Sequence, residues 1–103
     1  MNKVLQFLGL AMKAGKIVSG EQAVQSALKN KKCSLLIVAR DATENTKKRM
    51  IQSAVFSGIP YLQWGEKEAL GRALGKADRS SVAVCDAGFA KKISSLCQEN
   101  EIE

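Results

Sequence analysis

The side chains able to do chemistry in this chain point to binding. Histidine is absent, so no imidazole can ligate a metal or carry a proton. Cys33, Cys85 and Cys97 are too far apart for a CxxC pair. Without histidine they make neither a structural zinc site nor a thiol nucleophile with its usual base. Gly9 and Gly15 follow no strand, and Gly71 and Gly75 are a GxxxG spacing inside a short helix, so neither pair reads as a phosphate loop. No SxxK motif sits in a catalytic context. These residues imply a protein that is not an enzyme and holds no cofactor.

The binding chemistry collects at Ser19-Gly20-Glu21-Gln22. Ser19 and Gln22 have capping-box spacing, with Ser19 at the N-cap of a helix and Gln22 at its third position. Gly20 removes a side chain from the first turn, where unpaired backbone N–H groups and the helix dipole favour a phosphate. Gln22 and Gln25 carry amides that donate and accept toward base edges. Glu21 opposes an anion there and would instead accept from a base amino or imino group. Lys13 and Lys16 come just before, and Lys29, Lys31 and Lys32 just after. Arg40 follows an apolar run. Arg72, Arg79 and Ser80-Ser81 lie at or after a short later helix, where loops at strand ends meet ligands. Lys47-Lys48-Arg49 reads as a solvated helix face. A capped surface helix with solvated charges would account for much of the same pattern.

Charge sharpens the choice of partner. The net charge is +6. Residues 1–49 hold ten Lys/Arg against three acids, whereas residues 50–103 hold six against seven. A basic half implies a polyanion, because lysine and arginine displace counterions from phosphates. Tyr61 and Trp64 flank an apolar strand as packing residues, so the stacking aromatics of an open-sheet single-strand binder are not in evidence. Folded RNA recognised at a helix edge is the better fit. The cysteine pattern suits a reducing cytoplasm. Residues 1–15 read as an amphipathic helix rather than a signal peptide, and no stretch reaches the length of a membrane span.

Hydrophobic periodicity supplies the elements that must position these residues. Helices are expected over 2–14, capped by Asn2, from Ser19 to about Asn30, and over 44–57. The last turns its Met50, Ile51, Ala54 and Val55 inward and ends at Gly58. Two more helices are expected over 66–74 and, N-capped by Asp86, over 87–98. Between them lie a short extended piece at Ile17-Val18, a buried strand at 35–39, a strand at 60–64 and a second buried strand at 82–85. Pro60 marks the third of these as an edge. Gly71 weakens its helix unless another backbone packs against it. Residues 76–81 form a polar loop, and the acidic tail 99–103 frays. With 103 residues the chain forms one domain and buries roughly 65% of its unfolded surface. Strands separated by helices favour parallel pairing. The expected fold is α/β: a three-layer α/β/α sandwich on a mixed sheet of about four strands.

The blocks Lys16–Gln22, LLIVARDA (35–42), Gly58-Ile59-Pro60, Glu68–Gly75 and Val82-Ala83-Val84 occur in an order that resembles the archaeal and eukaryotic ribosomal kink-turn-binding superfamily. The terminal block Asp86–Lys92 is similar to its bacterial YlxQ branch. The resemblance spans nearly the whole chain and rests on five blocks in register rather than on one strong motif. It implies an α/β/α sandwich that binds the kink-turn, a sharply bent internal loop with tandem sheared G·A pairs, without cofactor or catalysis. The implied setting is ribosomal or regulatory ribonucleoprotein, as a monomer alongside other ribonucleoprotein components, with no DNA specificity and no membrane. The family's reading motif is glycine, any residue, Asn or Lys, Glu or Gln, and a lysine three further on. Gly20, Glu21 and Gln22 take the first three positions. Ala23 then stands where an acidic or amide side chain would contact a guanine, and Ser26 where the lysine is expected. Arg72 matches a basic position, and residues 76–81 match the loop that covers an extruded nucleotide. The departures at Ala23 and Ser26 keep a second reading open, a protein–protein adaptor on the same fold. A third is a substrate-recognition domain detached from an RNA-modifying enzyme.

Overall fold

The computed structural model describes residues 2–102, excluding the side chains of residues 100–102. The elements are α1 (Lys3–Lys13), β1 (Ile17–Ser19), α2 (Glu21–Lys29), β2 (Leu35–Val38), α3 (Glu44–Ser57), β3 (Tyr61–Gln63), α4 (Lys67–Ala73), β4 (Ser81–Val84) and α5 (Ala87–Ile102). The expected boundaries hold within two residues, except that α5 runs four residues further. The expectation that residues 99–103 fray falls partly on residues outside this description.

Local chemistry explains most of the ends. Asn2 accepts a hydrogen bond from the Leu5 N–H at 2.9 Å, and Thr43 accepts one from the Thr46 N–H at 3.2 Å. Asp86 does the same for Phe89 at 2.9 Å. Each satisfies a donor that the first turn of a helix leaves unpaired. Gly58 closes α3 in the left-handed conformation.

The four strands form one sheet in the order β1-β4-β2-β3. Pairing is more antiparallel than expected. Only β2 and β3 run parallel, whereas β4 is antiparallel to both β1 and β2. The reversal comes from the segment between β3 and β4. Its helix is about two turns long, and the Arg79 N–H donates to the Lys67 carbonyl at 2.9 Å. Both ends of the segment therefore lie at one end of the sheet, and β4 starts where β3 stopped. β1, β2 and β3 share a direction, as their intervening helices require.

β2 and β4 are the central strands, and all eight of their residues are buried. That is why Leu35–Val38 and Val82–Val84 read as continuous apolar runs rather than alternating ones. One layer packs α2 against α3, and the other packs α1 against α4 and α5. Phe7 of α1 meets Phe89 of α5 edge-on with centroids 6.1 Å apart, and the Lys92 ammonium lies 5.9 Å from the Phe7 ring centroid. Trp64 packs into the core as expected, whereas Tyr61, also expected to pack, is exposed on the edge strand β3. Val55, expected to face inward, is instead exposed, and so is its neighbour Phe56. The buried stripe of α3 is carried by Met50 and Ala54.

Gly71 is explained by a neighbouring backbone. A β-carbon there would stand 2.7 Å from the Ala77 carbonyl carbon and 3.1 Å from the Asp78 α-carbon. The glycine therefore lets loop 74–80 lie directly on α4. Burial pushes the Cys33 thiol up to about 11 and raises that of Cys85 as well, so both behave as small hydrophobes. Among the described residues no cluster of histidine, cysteine, aspartate or glutamate could hold a metal ion, and no helix is long and apolar enough to cross a membrane.

Candidate nucleic-acid interface

Strand register decides which sequence-predicted residues share a surface. Ser19 stands opposite Val82, Val38 opposite Ser81, and Val38 beside Gln63. One end of the sheet therefore carries Ser19-Gly20 and the start of α2, Arg40 after β2, and Ser80 before β4. At the other end Ile17 faces Val84, and the Lys16 carbonyl accepts from the Cys85 N–H at 2.7 Å. Lys13 and Lys16 lie there. So does Lys29, since α2 runs away from Gly20 for about 13 Å at 1.5 Å per residue. The basic residues that flank Gly20 in sequence thus sit at the far end of the sheet, and the cations that reach its edge come from elsewhere in the chain.

The capping box does not form. Gly20, not Ser19, is the N-cap of α2, and no side chain caps that helix. Gly20 adopts φ +90°, a conformation that L side chains rarely take. Its N–H reaches the Ser81 carbonyl at 3.4 Å, and a β-carbon on it would meet nothing within 4 Å. The first turn of α2 is therefore open to an approaching backbone, with uncapped donors behind it.

Ser19 is used differently. Its hydroxyl accepts a hydrogen bond from Arg79 Nε at 3.0 Å across sixty residues of sequence. Arg79 also donates to the carbonyls of Ala77 and Asp78 at 3.3 and 3.0 Å. The Ala39 N–H donates to the Ser80 carbonyl at 2.9 Å. The loop of residues 76–81 is thereby fixed beside the start of α2. Arg72 is exposed on α4 and pairs with Glu68 at 2.6 Å, one turn back.

Glu21 is held by a residue that the sequence alone assigned to solvent. Arg49 of α3 grips its carboxylate with two hydrogen bonds, Nε to Oε2 at 2.8 Å and Nη2 to Oε1 at 2.9 Å. The Arg49 hydrogen bond holds the Glu21 carboxyl below its usual range. The role suggested for Glu21, accepting from a base, is left to the carboxylate lone pairs that this fork does not use. Nothing in the sequence pairs Glu21 with Arg49, because only the packing of α2 on α3 brings them together.

The rest of the reading face varies in its commitments. Gln25 donates to the Met50 sulfur at 3.5 Å, and Ser26 accepts from Asn30 at 3.3 Å. Gln22 and Ala23 are exposed, and the Gln22 side chain has no hydrogen-bond partner among the described residues. Asp41 accepts from the Lys67 N–H at 2.8 Å and so anchors the start of α4 to the end of β2.

Known proteins share this architecture. The chain is 40% identical over 89 residues to an RNA-binding protein YlxQ of Bacillus subtilis strain 168, covering 86% of this chain and 89% of that one. It is 33% identical over 96 residues to an RNA-binding protein YlxQ of Enterococcus faecium, covering 93% and 92%. A Bacillus halodurans protein of unknown function superposes with a TM-score of 0.90 at 37% identity, over 95% of this chain and 99% of that one. The 15.5kD RNA binding protein of Giardia lamblia shares the fold with a TM-score of 0.73 at 19% identity, over 95% and 84%. Residues 2–94 match the family that joins the ribosomal proteins L7Ae, L30e and S12e with Gadd45. With most of the chain inside that match, and relatives of such identity along its length, this protein belongs to the L7Ae/L30e/S12e/Gadd45 family, beside the bacterial YlxQ proteins.

Proposed function

We propose that this protein binds structured RNA of the kink-turn kind, without catalysis and without a cofactor. It would do so as a monomer in a cytoplasmic ribosomal or regulatory ribonucleoprotein. The observation that carries the reading is the 3.0 Å hydrogen bond from Arg79 to Ser19. It joins the open first turn of α2 to the loop before β4, so the two segments present one continuous edge. Family membership supports RNA as the ligand, and the YlxQ relatives are named as RNA-binding proteins. A bent duplex would set a phosphate against the uncapped N–H groups of α2, with Gly20 permitting the approach. Gln22 faces outward to meet a base edge.

The test is a titration with a kink-turn duplex and with a matched duplex whose sheared G·A pairs are changed to Watson–Crick pairs, each at two salt concentrations. Micromolar or tighter binding to the first, lost in the second, is the expected result. Gly20→Glu and Arg79→Ala each weaken it, because both alter the same edge. Equal, strongly salt-dependent binding to both duplexes would leave a nonspecific basic protein or an adaptor and sink the proposal.

A further inference from the structure

Beside the proposed edge, α2 and α3 diverge into a groove of about 980 Å³. Gln25, Lys29 and Lys31 line one wall, and Arg49, Gln52 and Phe56 the other. No acidic residue lines it. Two features are at odds with a purely structural role. Phe56 is 94% exposed at the rim, more than any other large hydrophobic side chain among the described residues. Lys31 sits just past the C-cap of α2 at φ +56°, the only described residue other than glycine with a positive φ. Glycine is the usual occupant of that position, and any other residue there costs backbone strain. Glycine closes α3 in this way, so the fold has the device available and does not use it at Lys31.

We infer that this groove holds a single-stranded RNA segment continuing from the structured RNA bound at the Gly20 edge, with a base stacked on Phe56 and phosphates beside Lys29 and Lys31. The inference rests on the proposed RNA reading and extends it along α2. Charge selects the occupant, since a wall of cations and amides without an acid suits a polyanion. An exposed ring beside lysines is the arrangement that stacks unpaired bases, every one of which has a π-face. Continuity supports the same choice. Arg49 lines the groove and also holds Glu21 in the first turn of α2, so groove and edge meet at that pair.

The experiment compares a blunt kink-turn duplex with the same duplex bearing a short single-stranded extension on either end. The extension should tighten binding at least about fivefold, the low end of stacking one base on an aromatic ring. Phe56→Ala should abolish that gain and leave blunt-duplex binding unchanged. Lys31→Gly should reduce the gain while raising the melting temperature, so misfolding cannot account for the loss. No gain with either polarity of extension, or a gain that survives Phe56→Ala, overturns the inference. Titration of a short uridine-rich oligonucleotide, followed by NMR at Phe56 and Lys31, separates it from the parent reading. Shifts there without any binding of the blunt kink-turn would uphold the groove and sink the kink-turn. An acidic peptide that shifts Phe56 where the oligonucleotide does not would overturn the assignment to RNA.

Discussion

Alanine at Gly71 sets two effects of opposite sign against each other. Gly71 lies inside α4, where alanine is favoured over glycine by about 1 kcal/mol. Its new β-carbon would stand 2.7 Å from the Ala77 carbonyl carbon and 3.1 Å from the Asp78 α-carbon. Those are backbone atoms, so no side chain can rotate away. The loop must lift from α4, stretching the bonds from the Lys76 N–H to Gly71 at 2.8 Å and from the Arg79 N–H to Lys67 at 2.9 Å. Overpacking costs about 1–3 kcal/mol, and each weakened hydrogen bond about 1 kcal/mol. After subtracting the helix gain of about 1 kcal/mol, Gly71→Ala should lose about 2–4 kcal/mol. With a urea slope of about 2 kcal/mol/M, the unfolding midpoint drops by roughly 1–2 M at constant slope. Because the same loop carries Arg79 to Ser19, RNA affinity should fall even where the variant remains fully folded. An unchanged or higher midpoint would mean that the loop is free to move aside, and the account of Gly71 would be wrong.

Other perturbations read single contacts. Thr43→Ala removes the cap of α3 and should cost about 1 kcal/mol, a melting shift of about 4–8 °C for a domain near this size. Arg49→Ala should barely move the unfolding midpoint, because exposed ion pairs contribute little, yet NMR titration should show the Glu21 carboxyl rising toward its ordinary 4.5. The sign follows from the depressed folded value: the pair stabilises the fold above pH 4.5, and the contribution disappears as pH falls through the lower folded value. Cys33, raised by burial from 9.0 to about 11, should resist a thiol reagent at pH 8 until the protein unfolds. Its raised value makes the buried neutral thiol stabilising below pH 9, with the advantage lost as pH climbs through 11.

Much of the fold was legible because the signals were local. Asn2 and Asp86 declare helix starts, and Gly58 declares an end. The apolar runs of β2 and β4 declare central strands. Gly71 announced a close backbone by being the wrong residue for a helix. What failed was long-range. The direction of β4 depends on Lys67 meeting Arg79, and no pattern in residues 64–80 encodes that bond. Ser19 and Gln22 have capping-box spacing, yet the helix starts one residue later because Gly20 takes the positive-φ turn. The candidate site divided for the same reason. Gly20, Glu21, Gln22, Ala23, Arg40, Arg79 and Ser80 share an end of the sheet, while Lys13, Lys16 and Lys29 are neighbours only along the chain. Phe56 escaped notice because it falls outside the expected stripe of α3, and that stripe is itself narrower than expected, since Val55 is exposed and only Met50 and Ala54 are buried.

The geometry also decides what kind of recognition this edge can support. Base reading needs donors and acceptors that are exposed and uncommitted. Glu21 is bound to Arg49, Ser19 to Arg79, Ser26 to Asn30 and Gln25 to the Met50 sulfur. Ala23 has no polar group. Of the residues from Ser19 to Ser26, only Gln22 is both polar and free of side-chain partners in the structure. Backbone donors at the start of α2 are open by contrast, and a phosphate is what they suit. Contacts to phosphates fix position and carry no sequence information directly. An RNA bound here should therefore be selected by the bend that brings its backbone to Gly20 and Arg79 together, more than by the identity of its bases. Changing a base while preserving the bend should cost little, except at the one position that meets Gln22. Removing the bend should cost nearly all of the specific affinity. A large loss spread over several base changes that keep the bend would instead mean that side chains such as Glu21 read bases, and the Glu21 carboxyl in the complex would report it directly.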